Sequence, residues 1–170
     1  MMNNKISVRE VLVEDAKALL QIIPIIDKET EFTLRGEGEF RLSLHEEESF
    51  IRNILAEPRS VMFVASCNDN IVGSLGFRGN NLTRYKHTGE FGMGILKQYW
   101  GQGIGTMLIE HLLSWSEAHD IRKINLKVVE TNIRAIKLYE RFGFEIEGVQ
   151  KNEVKIADQY YNLLSMGKFI

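Results

Sequence analysis

Between Glu90 and Thr106 the chain reads Glu-Phe-Gly-Met-Gly-Ile-Leu-Lys-Gln-Tyr-Trp-Gly-Gln-Gly-Ile-Gly-Thr, a run that few architectures can accommodate. A strand pattern over His87–Leu96 gives way to glycines at 101, 103 and 105, and then to helical periodicity through about His119. The first N–H groups of such a helix lack intrahelical partners. Together with the helix dipole they favour an anionic oxygen at the turn. Glycine lets a ligand come close to that backbone. The segment therefore predicts strand, phosphate-binding turn and helix, completed by a parallel strand at Lys123–Val129 as a right-handed crossover.

Two common phosphate templates do not fit. A Walker A loop ends in Gly-Lys-Ser/Thr, whereas Gly105 is followed by Thr106 and Met107. The dinucleotide pattern G-x-G-x-x-G places its last glycine on Thr106 when started at Gly101, and on Leu108 when started at Gly103.

The flanking chain supplies the other elements. Ile6–Val11 reads as a first strand and Glu14–Ile23 as a helix stopping near Pro24. Thr30–Leu42 reads as a loop. A second helix follows Ser43, an N-cap with Glu46 three residues on, and runs to about Ala56 before Pro58. Val61–Cys67 and Ile71–Phe77 form a hairpin across Asn68-Asp69-Asn70. A helix over Asn132–Arg141 and strands over Phe144–Gln150 and Gln159–Met166 complete the order β-α-α-β-β-β-α-β-α-β-β. That order predicts an α/β fold with one mixed sheet covered by helices. Nothing in the 170 residues reads as a linker, so 1–170 reads as a single domain.

Composition excludes several functions. A net charge of −2 gives no global field for nucleic acid or an anionic membrane. One cysteine, Cys67, rules out an intrachain disulfide and reads as a buried strand residue. Met1-Met2-Asn3-Asn4-Lys5 lacks a signal-peptide core, and no apolar stretch approaches a membrane span, so a cytoplasmic protein is expected. His45-Glu46 is followed by Ser49 where H-E-x-x-H needs histidine, and no metal site is expected. His111 and His119 read as helix surface, Trp115 as core, and Glu46-Glu47-Glu48 as helix start and solvent face.

A second constellation lies downstream. Asn132, Ala135, Leu138, Tyr139, Gly143 and Phe144 fill the pattern Asn-x-x-Ala-x-x-Leu-Tyr-x-x-x-Gly-Phe. Asn132 stands at a strand–helix junction, where it also suits an N-cap. Tyr139, about two turns later, projects from nearly the same face. With Gly103-Ile104-Gly105, this pattern resembles the GCN5-related N-acetyltransferases, in particular the branch of ribosomal-protein N-terminal and polyamine acetyltransferases. The family's Arg/Gln-x-x-Gly-x-Gly/Ala motif has Trp100 at its first position here.

The resemblance implies a mixed sheet of about seven strands with about four helices, and acetyl-CoA as co-substrate. It implies that Trp100, Gly101, Gln102, Gly103, Ile104, Gly105 and Thr106 cradle the pyrophosphate. It further implies contacts from Met93, Ile95 and Asn132, and places the Tyr139 hydroxyl beside the thioester sulfur. The acceptor is then a primary amine: a small amine or polyamine, an amino acid, or a protein N-terminus. The loop carrying Glu29 and Glu31 borders the acceptor site in this family, and Asn152–Gln159 is a second acceptor loop. A homodimer is common in it.

Acyl transfer to an amine needs a neutral amine, a stabilised oxyanion and a proton for the leaving thiolate. Tyr139 can supply that proton. Glu90 shares strand parity with Gly92 and Gly94, beside a strip free of side chains, and suits the general base. A water chain to solvent is the alternative. No covalent intermediate is required. A non-catalytic acyl-CoA-binding module would keep the fold without needing the tyrosine hydroxyl, and a nucleotide-binding domain lacks its templates.

Overall fold

Seven strands form one mixed sheet in the computed structural model, which describes residues 5–170; the reading of Met1–Asn4 lies outside the described residues. In chain order the elements are β1 (Ile6–Glu10), α1 (Ala16–Glu29), α2 (Leu44–Ala56), β2 (Ser60–Cys67), β3 (Asn70–Gly79) and β4 (Thr88–Ile95). Then come α3 (Ile104–Ala118), β5 (Lys123–Val129), α4 (Ile133–Arg141), β6 (Glu145–Ile156) and β7 (Gln159–Phe169). The sheet runs β1-β2-β3-β4-β5-β7-β6, antiparallel except for the β4–β5 pair, and the element order is the expected one.

Alternation along the strands separates two helical layers. Ile26 of α1 packs over Gly94, so α1 shares the sheet face of Gly94, Gly92 and Glu90. The opposite face carries Phe63, edge-on to His111 of α3 at 5.8 Å, and Phe77, edge-on to Trp115 at 5.8 Å. Core side chains such as Leu19, Ile51, Leu75, Leu108, Leu112 and Ile124 are fully buried between these layers.

Local chemistry sets the element ends. Ser43 and Glu46 close a reciprocal capping box, the Ser43 amide donating to Glu46 Oε2 at 2.7 Å and the Glu46 amide to Ser43 Oγ at 3.3 Å. Asn68 and Asp69 both adopt positive φ, as a two-residue hairpin turn of primed type requires. Gly89 marks a close approach: a Cβ there would overlap the Phe77 ring and sit 2.6 Å from the Arg78 carbonyl oxygen. Gly89→Ala is expected to destabilise the fold by about 1–3 kcal/mol, read as a lower urea midpoint with an unchanged m-value.

Three expectations are corrected. α1 does not stop near Pro24 but runs through it to Glu29. An internal proline costs about 3 kcal/mol, and the burial of Leu19, Ile22 and Ile26 on the inward face offsets it. β6 extends to Ile156, so all but the tip of the expected loop Asn152–Gln159 is hairpin, irregular between Gln150 and Val154. His111 is half-buried against Phe63 instead of lying on the surface. Among the described residues, no helix is long and apolar enough to cross a membrane.

Candidate active site

The sheet comes apart at its one parallel pair. β4 and β5 are in register only at Thr88–Lys123, Gly89–Ile124 and Glu90–Asn125, after which β4 keeps to β3 and β5 to β7. The Leu96 amide donates to Val72 O of β3 at 2.9 Å. By alternation the amides of Met93 and Ile95 then turn toward the gap. Two clefts meet there and share Ile26, Phe32, Thr33, Met93, Gly94, Asn132 and Tyr139.

The first cleft, about 670 Å³, lies between the glycine turn and α4. Gly101 and Gly103 have φ of 79° and 82°, and a Cβ on Gly103 would meet only open space. With Met93, Ile95, Trp100, Ile104, Gly105 and Thr106 these glycines line the wall. Trp100 braces the turn: its Nε1 donates to Ile95 O at 2.7 Å and the Arg134 guanidinium lies 5.2 Å from the ring centroid. Gln102 does not line the cleft, and its Nε2 donates to Gln98 O at 3.1 Å. Asn132 caps α4, its Oδ1 accepting from the Ala135 amide at 3.3 Å, while also facing both clefts.

The basic row Arg134, Lys137 and Arg141, which is not among the expected site residues, lines the same wall. Their i, i+3, i+7 spacing on the helix opened by Asn132 was the available signal. An open glycine turn, a helix N-terminus and three cations on one wall fit a ligand that bears several phosphates.

The second cleft, about 1010 Å³, lies under α1 and α2. Its floor is bare because Gly76 and Gly92 stand opposite each other and a Cβ on either would meet nothing. Arg78, Glu90 and Asn125 form one row across three strands at the edge of that floor. The loop Thr30–Leu42 forms a wall, pinned by Arg35, which donates to buried Asp27 at 3.0 Å and lies 5.2 Å from the Phe40 ring centroid.

Glu29 and Glu31 line neither cleft. Glu29 instead accepts from the Lys97 amide at 2.8 Å, tying α1 to the exit of β4. The carboxylates on the cleft wall are Glu39, Glu47 and Glu90. Glu47 corrects the reading of Glu46-Glu47-Glu48 as helix start and solvent face, since it is buried. Cys67 is buried and lines neither cleft.

Tyr139 stands where the clefts join. Its ring packs edge-on against Phe91 at 5.7 Å and Phe144 at 6.1 Å. Burial pushes its hydroxyl up to about 12, so the group stays protonated at neutral pH.

A mixed seven-stranded sheet split at β4 and β5, with a glycine turn opening α3 beside the split, is the acyl-CoA N-acyltransferase fold. Residues 25–144 match the model of the Acetyltransferase (GNAT) family, and the chain belongs to that family. It is 33% identical over 99 residues to "Probable N-acetyltransferase san" of Drosophila melanogaster, 58% of this chain and 50% of that protein. The match to "L-amino acid N-acetyltransferase AaaT" of Escherichia coli is 27% over 113 residues, 63% of this chain and 70% of that one. The aligned chain thus spans half of the first relative's length and more of the second's. An acetyltransferase of the GNAT family from Streptococcus pneumoniae superposes with a TM-score of 0.94 at 29% identity, covering 98% of this chain and 100% of that one.

Proposed function

We propose that this protein is an N-acetyltransferase that moves an acetyl group from acetyl-CoA to a primary amine by direct attack. The observation that carries the reading is the position of Tyr139, at the junction of a phosphate-compatible cleft and a bare-floored one. Acetyl-CoA, when bound, supplies an acetyl group already activated as a thioester. The glycine turn and the Arg134, Lys137 and Arg141 row hold its phosphates. The amides of Met93 and Ile95 offer hydrogen bonds to the carbonyl oxygen, where negative charge develops.

Tyr139 acts on the sulfur side. With its pKa near 12 against about 8.5 for an ordinary thiol, full transfer of its proton to a thiolate is uphill. Its hydroxyl therefore serves as a hydrogen-bond donor to the departing sulfur, stabilising charge there. Glu90, on the floor row of the acceptor cleft, takes the amine proton directly or through water. Small amines, polyamines, amino acids and protein N-termini remain within the acceptor class.

Release of free CoA from acetyl-CoA tests this across a panel of amines, polyamines, amino acids and N-terminal peptides. Amine-dependent release is the expected result. Silence across the panel with acetyl-CoA binding retained in a thermal-shift assay would favour a binding module. Silence without binding would overturn the cofactor assignment.

A further inference from the structure

Of the three glutamates that open α2, two are satisfied locally. Glu46 closes the capping box with Ser43, and Glu48 accepts a hydrogen bond from Arg52 at 3.1 Å. Glu47 is only 1% exposed, and its Oε1 is buried without a hydrogen-bond partner. It faces the acceptor cleft with Phe50 and Ile54, three and seven positions along the same helix face. Burial pushes its carboxyl pKa up, and the field of Arg35 draws it partly back. Arg35 is itself committed to Asp27.

An unpaired buried polar group costs about 1–3 kcal/mol, and more when charged. An apolar residue of similar size would remove that cost. A carboxyl kept at a cavity wall on these terms is placed for a group that enters the cavity.

We propose that Glu47 selects the acceptor: its buried oxygen receives a hydrogen bond from a second donor group on the substrate, an ammonium or hydroxyl distant from the nitrogen that reacts. Ile26, Phe50, Ile54 and Met62 line the same cleft, so an apolar spacer joins the two polar ends. A carboxylate at the far end is disfavoured by like charge at Glu47. This inference rests on the acetyltransferase reading and names the acceptor of that same site.

Matched linear probes of three to six carbons test it, for example pentane-1,5-diamine, 5-aminopentan-1-ol, pentylamine and 5-aminopentanoate. Turnover is followed by CoA release. Binding is followed by calorimetry on the CoA-saturated protein, so that one readout does not depend on activity. For the wild type, the diamine and amino alcohol of best length bind about tenfold or more tightly than the alkylamine, and the amino acid binds worst. In Glu47→Leu that preference falls to within about twofold, with KM for acetyl-CoA unchanged and Tm equal or higher. Glu47→Gln, which keeps a neutral acceptor oxygen, retains the amino alcohol preference and loses the advantage of the diamine.

Equal binding of the four probes by the wild type, or of none, would overturn the proposal, as would a preference that survives in Glu47→Leu. Turnover without a Glu47-dependent preference sinks this proposal and leaves acetyl transfer standing. A Glu47-dependent binding preference without turnover does the reverse.

Discussion

Tyr139→Phe lowers kcat by about 100-fold or more, the range for losing one hydrogen-bond donor to developing charge, while KM for acetyl-CoA stays within about twofold. The ring keeps its edge-on contacts with Phe91 and Phe144, so only the hydroxyl is lost. Among the described residues that hydroxyl makes no hydrogen bond to the protein, so folding stability at neutral pH is unchanged or slightly higher. The pH dependence has a definite sign. Burial raises the folded pKa to about 12 from an ordinary value near 10. The stability linked to this group is present below pH about 10 and lost as pH rises toward about 12. Tyr139→Phe removes that alkaline loss, and no limb of the wild-type rate profile near neutrality belongs to the tyrosine. A mutant with wild-type kcat would refute its role at the sulfur.

Gly103→Val raises the Kd for acetyl-CoA at least about tenfold, measured by calorimetry. Its φ of 82° lies in the left-handed region, where an L side chain costs about 1–2 kcal/mol and a β-branched one more. That strain appears as a lower urea midpoint. A Cβ at this position meets no protein atom within 4 Å, so affinity lost beyond the folding cost reports a crowded ligand. Gly103→Ala, with its smaller side chain, loses less affinity. Full affinity in the valine variant would sink the cradle assignment.

The parts of the site that were legible in the sequence are the ones whose chemistry is local. Glycines at a strand–helix turn declare themselves by spacing, whereas Asn132 and Tyr139, two turns apart, stand out through their match to the family pattern. The order of elements and the single mixed sheet followed from the alternation of strand and helix patterns, whereas the placing of β7 between β5 and β6 did not. The missing parts depended on tertiary packing. Pro24 marks a helix end by propensity, but the buried face formed by Ile22 and Ile26 carries α1 past it. Glu47 has the composition of a solvent face, and only the docking of α2 over β2 shows which of three glutamates turns inward. Glu29 and Glu31 were drawn into the acceptor site by loop position, yet the Glu29 carboxylate caps a strand exit instead. Arg134, Lys137 and Arg141 carry the ordinary charge of a helix exterior until the glycine turn is placed opposite them.

The short register of β4 and β5 bears on traffic through the molecule. A sheet that stayed zipped past Glu90 would put its two faces out of touch with each other. Opened there, it lets the two clefts meet through the sheet, with Tyr139 at their common threshold. On the proposed direct attack, neither reactant has to vacate the sheet before the other arrives, and no side chain has to store the acyl group between visits.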